Sequence, residues 1–281
     1  MKKTLTPVEL RHELASAKPL LVIDVRRPDD RGPEGIPGAD WRSPALLEDW
    51  AGGVPAGAEV VVYCVRGGQV SQGVQAALAA RGVTARFLEG GLVAWAADEA
   101  LERDPDLDLL RAQGVSGKGV AHALHVARVA LWLAANLDPA KAGPLDLDLV
   151  RRGALLHDLG KVRDTGNLHG VVGAELARGL GLPEAVLGCI EKHVRHGLPQ
   201  DQTEALGLPA RDFSFTRIEE RLVSYADKLA DVLAAGLAED PAEAHARLPE
   251  ILAARPALAK DEATLGRYLA SRELLLAWAR G

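Results

Sequence analysis

Residues 153–161 read GALLHDLGK. The apolar run Ala154, Leu155, Leu156 reads as the end of a buried helix, and it delivers His157 and Asp158 side by side before Gly160 stops the pattern. An imidazole and a carboxylate taken into an apolar interior cost free energy unless something compensates them. A divalent cation is the economical compensator. Adjacent residues on a helix point about 100° apart, so His157 and Asp158 can both face one ion only where the helix ends.

Working outward, the second half of the chain has helical periodicity throughout, over 119–137, 146–158, 171–180, 183–195, 216–235, 241–254 and 260–279. Pro183 reads as a first-turn residue and Thr216 with Glu219 as a capping box. Seven of the eight histidines fall in 122–245. His122, His125, His157 with Asp158, His169, His193, His196 and Asp227 lie on or at the ends of these helical segments. Neutral imidazoles with one or two carboxylates suit Mn, Fe, Co, Ni or Zn, whereas Mg and Ca prefer oxygen. The expectation is one or two divalent transition-metal ions per chain.

The first hundred residues have a different grammar. LLVIDV (20–25) and EVVVYC (59–64) read as buried parallel strands, SQGVQAALAARG (71–82) as a helix and ARFLEGG (85–91) as a further strand running into a turn. That rhythm predicts a right-handed α/β unit on a parallel sheet with flanking helices. The charged, Pro-containing stretch 101–114 reads as a linker, giving domains at 1–100 and 115–281, the second all-α. There is no internal repeat and no low-complexity tract.

Composition narrows the function classes. The 281 residues are 48% hydrophobic and 26% charged, enough for two ordinary cores. A formal net charge of −6 argues against a surface that coats nucleic acid generally. No run approaches the roughly 18 apolar residues of a membrane span, and Glu9, Arg11 and Glu13 interrupt any signal-peptide core. Cys64 and Cys189 make no disulfide framework. The expected setting is cytoplasmic, with no membrane partner.

Taken together, LHVARVA (124–130), GALLHDLGK (153–161), LHGVVGAELARGLGL (168–182), IEKHVRHG (190–197) and RLVSYADKLAD (221–231) resemble the HD-domain superfamily of metal-dependent phosphohydrolases over roughly 115–235. The likeness is nearest to the branch with a His-Asp-Ile-Gly signature, Leu159 replacing the isoleucine. The resemblance implies a helical bundle with His125, His157, Asp158 and Asp227 as core metal ligands, and His169 and His193 as the pair that binds a second metal in some branches. His122 is then read as a neighbour one turn before His125 on the same face, and His196 as a substrate contact or a cap. The implied reaction is hydrolysis of a small phosphate ester, a nucleotide among the candidates, by a metal-activated water. Asp158 orients that water and accepts its proton. Lys161 and Arg128 are expected to meet phosphate oxygens, with Arg163, Lys192 and Arg195 forming a positive mouth.

In the first half, LLVIDVRRP, GIPGA, VVYC and FLEGGLVAW resemble, in order, a rhodanese-like sulfurtransferase domain over nearly all of 1–98. The resemblance implies that Cys64 carries a persulfide, passed between a sulfur donor and a thiol acceptor. Asp24 and Arg26 would support the pocket wall. Two departures matter: Gln69 stands where the loop often has arginine, leaving Arg66 as its cation, and Gly35 stands where a histidine is usual. A Cys64 thiolate at a strand–loop–helix junction would meet loop amides and a helix N-terminus. Two alternatives stay open at this point: sulfur transfer as the main activity, or a nucleotide-sensing module with little turnover.

Overall fold

The computed structural model describes residues 2–280 other than Ala17 and Ala56. The chain divides into two compact units, Met1–Arg103 and Asp104–Gly281.

In the first unit, β1 (Thr4–Leu5), α1 (Pro7–Leu14), β2 (Leu21–Asp24), β3 (Asp40–Trp41), α2 (Leu47–Ala51), β4 (Glu59–Tyr63), α3 (Gln69–Ala80), β5 (Thr84–Leu88) and α4 (Gly91–Glu102) follow one another. The strands form one parallel sheet in the order β1-β5-β4-β2-β3, with Ile23 opposite Val62 and Val62 opposite Phe87. Side chains alternate across it, as the two-residue period requires. Ile23, Val60 and Val62 pack on Val74 and Leu78 of α3. Val22, Val61 and Tyr63 pack with Leu10 of α1 and Trp95 of α4. Both faces are covered, which is why the strands read as unbroken apolar runs. The stretch 85–91 is strand only to Leu88, because Gly90 and Gly91 adopt positive φ and open α4.

The expected linker is mostly helix. Helix α5 (Pro105–Ala112) belongs to the second unit, Asp104 accepts a hydrogen bond from the Asp106 amide at its start, and Leu107 and Leu110 are buried. The Asp–Pro pair that suggests a linker is here an N-cap followed by a first-turn proline.

The second unit continues with α6 (Gly117–Asn136), α7 (Pro139–Ala142), α8 (Leu147–Leu156), α9 (His169–Gly179), α10 (Glu184–Lys192), α11 (Ile218–Ala234), α12 (Pro241–Ala254), α13 (Pro256–Ala259) and α14 (Glu262–Ala277). Helix α6 packs against α8 and α11, and α10 against α8 and α9. Small buried residues such as Ala123, Ala127 and Ala130 on α6, and Ala226 and Ala230 on α11, line the centre of this bundle. Two helix starts differ from expectation. Pro183 is the N-cap of α10 rather than a first-turn residue. The capping carboxylate of α11 is Glu220, which accepts from the amides of Thr216 and Arg217, while Glu219 accepts from the Asp146 amide.

Candidate metal centre

Helix α8 buries Val150, Ala154 and Leu155, and this face drives its C-terminal end into the bundle. The helix finishes at Leu156, His157 is its C-cap, and Asp158 leads into a 3-10 turn at Leu159–Val162. Gly160 lets that turn lie against the start of α9. A Cβ there would stand 1.9 Å from the His169 carbonyl oxygen and 2.5 Å from the Gly173 amide nitrogen. Gly170 does the same between α9 and α10, where a Cβ would stand 2.8 Å from the Glu191 carbonyl oxygen. These two close approaches bring His157 and Asp158, His169 at the head of α9 and His193 at the foot of α10 into one cluster.

Two overlapping groups of donor atoms lie within 4.8 Å of one another: His122, His157 and Asp227, and His157, Asp158 and His193. The two oxygens of Asp158 face different ways. Oδ2 is 3.4 Å from His157 Nε2 and 3.7 Å from His122 Nε2; Oδ1 is 3.5 Å from both His169 Nε2 and His193 Nε2. His122 Nε2 is 3.0 Å from Asp227 Oδ1.

The histidine tautomers follow from their other nitrogens. His157 Nδ1 lies 2.8 Å from the Ala154 carbonyl oxygen, His169 Nδ1 2.5 Å from that of Gly166, and His193 Nδ1 2.6 Å from that of Ile190. A carbonyl only accepts, so each Nδ1 carries its hydrogen and donates. In the neutral rings each Nε2 then turns a lone pair towards the cluster, the arrangement found when histidine ligates a metal. His169 Nε2 and His193 Nε2 stand 2.9 Å apart with no hydrogen to share in those tautomers. That separation is what two adjacent ligands of one ion would have, given bonds of about 2.0–2.1 Å. Among the described residues, His157 Nε2 and Asp158 Oδ1 are buried and find no hydrogen-bond partner. An unsatisfied buried polar group costs about 1–3 kcal/mol, so the donor set fits a cation and is poorly satisfied by its own members.

The electrostatics put a proton where a cation would sit: against its burial, the Asp158 and Asp227 carboxylates hold His157 well above its ordinary value, so its Nε2 must give up a proton to take a metal. Burial alone would raise the Asp158 carboxyl, but His157 and His193 outweigh it and hold it well below the usual carboxylate range. Asp227 is likewise held low against its burial by His122 and His157. Burial and the neighbouring His193 push His169 down to about 4, so its imidazole is neutral at pH 7.

The α6 histidine that lies in the donor cluster is His122, one turn before the expected His125. Residues three apart on a helix differ by about 60° in direction and 4.5 Å along the axis, and it is His122 that meets Asp227. His125 lies one turn further along α6, where burial and the charges of His122 and Arg128 lower its pKa. Arg128 is six residues from His122, about 9 Å along the helix. His196 is no substrate contact: it is 1% exposed, bonded to Ser224 and Ser271, and stacked on Tyr268. Two of the three cations expected at the mouth are engaged elsewhere, while Arg163 is exposed. Lys192 is bound to Thr216 and Glu220, and Arg195 to Asn167 and Asp261. Lys161, half-exposed at the rim, bonds Asp158 Oδ2.

In the first unit, Cys64 follows β4 and its sulfur lies 3.2 Å from the hydroxyl of Ser71. The loop is fixed by the Leu92 and Val93 amides, which donate to the carbonyls of Cys64 and Val65. Burial pushes the thiol up, but the Ser71 hydroxyl and the amides of Ser71, Arg66 and Gly68 carry it below its ordinary value. Arg66 reaches the sulfur with its amide while its side chain is exposed. Ser71, wholly buried, is the partner that sequence reasoning missed; its signal is a hydroxyl in the first turn of the helix that follows the cysteine. Arg26 donates from Nε and Nη2 to Asp24 and from Nη2 to the Glu34 carbonyl, a buried strap beneath the loop that follows β2.

Family models match an HD domain over residues 119–231 and a rhodanese-like domain over 6–98, and the chain carries both domains. An uncharacterised protein of Methanocaldococcus jannaschii is 41% identical over 39% of this chain and 64% of its own length. A tRNA (cytidine(56)-2'-O)-methyltransferase of Thermoplasma volcanium is 37% identical over 44% of this chain and 35% of its own. A ribonuclease Y of Acidothermus cellulolyticus is 36% identical over 38% and 22%. The chain thus spans less than two thirds of these relatives. Among solved structures, a rhodanese-like domain protein of Staphylococcus aureus is 29% identical over 34% of this chain and 91% of that one, with a TM-score of 0.32. The HD domain of the Listeria monocytogenes phosphodiesterase PgpH, in complex with cyclic-di-AMP, is 16% identical over 62% and 94%, with a TM-score of 0.38. Among the described residues no helix is long and apolar enough to cross a membrane.

Proposed function

We propose that the helical unit is a metal-dependent phosphohydrolase acting on a nucleotide-type phosphate ester, and that the first unit is a cysteine-based sulfurtransferase module. The observation that carries the first reading is the 2.9 Å approach of His169 Nε2 and His193 Nε2 beside the buried Asp158 carboxylate, which only a proton or a cation relieves. His122, His157 and Asp227 would hold one ion. Asp158, His169 and His193 would hold a second, with Asp158 presenting one oxygen to each. A first-row cation bound there lowers the pKa of a water towards neutrality and polarises a phosphoryl oxygen.

The chain's own residues do the rest. Asp158 stays ionised at neutral pH, so it can accept a hydrogen bond from the attacking water and orient it. Lys161, whose side chain is 48% exposed and which bonds Asp158, is a cation at the rim that can meet charge on the phosphate oxygens. Relatives named ribonuclease Y support a phosphodiester of a nucleotide or RNA as the first class to try. With a net charge of −6 a short nucleotide is preferred over a long polymer.

The test is turnover by full-length protein loaded with Mn, Fe, Co, Ni or Zn on nucleotides, cyclic dinucleotides, short RNA and generic phosphomonoesters. Asp227→Ala is expected to abolish turnover with its circular dichroism unchanged. No turnover with any of these metals refutes the hydrolase reading. For the first unit, attack of the Cys64 thiolate on the outer sulfur of thiosulfate, with its S–S bond breaking and sulfite leaving, is expected to add one sulfur (about 32 Da) to the peptide holding Cys64, and not in Cys64→Ser.

A further inference from the structure

His193 is followed by an unusual turn. Arg195, His196 and Gly197 take φ of 57°, 59° and 73°, three consecutive left-handed residues, two of them bearing side chains for which that conformation is disfavoured. Something must hold them there, and the hydrogen bonds around His196 run in one direction only. Ser224 Oγ lies 2.9 Å from the His193 carbonyl oxygen, which can only accept, so the hydroxyl donates to it. Ser224 is then left to accept from His196 Nδ1 at 2.8 Å, which fixes the hydrogen of the imidazole on Nδ1. His196 Nε2 is consequently an acceptor and takes the hydroxyl hydrogen of Ser271 at 2.7 Å. Ser271 in turn accepts from Arg221 Nη1 at 2.7 Å.

The result is a directed chain, Arg221 to Ser271 to His196 to Ser224 to the backbone of His193. Ser224, Ser271 and His196 are each no more than 1% exposed. The second lone pair of the His193 carbonyl takes the His196 amide at 3.0 Å. Ser271 lies on α14, outside the residues 119–231 matched by the HD family model.

We propose that His196 is a positioning residue for the metal centre, holding His193 in place by linking it through Ser224 to Ser271 of α14. The proposal rests on the reading of His193 as a metal ligand. Groups that orient a ligating histidine typically change metal affinity about 10–100-fold when removed. A merely structural histidine would change folding stability without changing how tightly the folded protein takes metal.

The experiment is titration of metal-free full-length protein with Co²⁺ alone, read by calorimetry, with thermal melting alongside. His196→Asn keeps a donor at the place of Nδ1, facing Ser224; His196→Gln moves its amide towards Ser271 and loses that donor. Asn is expected to bind Co²⁺ within about threefold of wild type and Gln about tenfold or more weakly, at comparable melting temperatures. Co²⁺ affinity within twofold of wild type for folded His196→Gln overturns the proposal. If the Gln variant does not fold, Ser271→Ala decides: weaker Co²⁺ binding supports the chain, and unchanged affinity overturns it. Wild-type protein that takes up no Co²⁺ refutes the metal reading itself, a result distinct from either.

Discussion

Gly160→Ala tests whether the close approach of the α8–α9 turn is what assembles the centre. The added Cβ would stand 1.9 Å from the His169 carbonyl oxygen, a backbone atom, whereas real Cβ contacts essentially never fall under 3.0 Å. The start of α9 must therefore retreat by at least 1.1 Å relative to the turn. Metal–ligand distances tolerate only about 0.2 Å, so a shift several times larger takes His169 out of the pair it makes with His193. Overpacking of this kind costs about 1–3 kcal/mol. For a unit of this size that corresponds to a fall in melting temperature of about 2–12 °C, at about 2–4 °C per kcal/mol. The assay is a thermal melt of metal-free protein together with its Co²⁺ stoichiometry. The expected result is a lower melting temperature and loss of the ion that needs His169. A Gly160→Ala protein that melts with wild type and binds the same number of ions at the same affinity refutes the reasoning, because the backbone would have absorbed the methyl without moving α9.

Three further outcomes are expected. Elemental analysis of protein purified without chelator should find a first-row metal, largely lost in His122→Ala and retained in His125→Ala; the reverse pattern would return the ligand position to His125. Alkylation of Cys64 by a small reagent should be half-maximal at a lower pH than that of an ordinary free thiol, and Ser71→Ala should move that midpoint upward. The sign follows from the lowered thiol: the thiolate's contribution to stability is present above the unfolded pKa and is lost as pH falls through the folded one. Cys189, whose thiol is pushed up by burial, should stay unreacted in the folded protein, as peptide mapping would reveal.

Much of the fold is legible in the sequence because its elements carry long, strongly periodic signals. The residues that make β4 apolar on both faces and α11 apolar on one are the ones that find partners. Short elements are the ones that escape. Strands β1 and β3 are two residues each, and α7 and α13 four, below the length at which a period can be counted. Helix α5 escapes for another reason: its aspartates and proline are start signals and linker signals alike. Only the burial of Leu107 and Leu110, and the ion pair of Asp106 with Arg152, separate the two meanings.

The site separates in the same way, by whether a residue's role depends on its own segment or on a distant one. His157 and Asp158 are legible because the helix that buries them and the glycine that ends it are their immediate neighbours. His122 and His125 share a helix, an apolar setting and a spacing that favours neither. The choice between them is made by Asp227, more than a hundred residues away, and it falls to the imidazole within 3.0 Å of that carboxylate. His196 is the converse case. It sits three residues after a ligand-type histidine and looks like another, yet Ser224 and Ser271 consume both of its nitrogens. A ring nitrogen whose lone pair already takes a hydroxyl hydrogen has none to offer a metal. That distinguishes His196 Nε2, buried with a partner, from His157 Nε2, buried with none among the described residues.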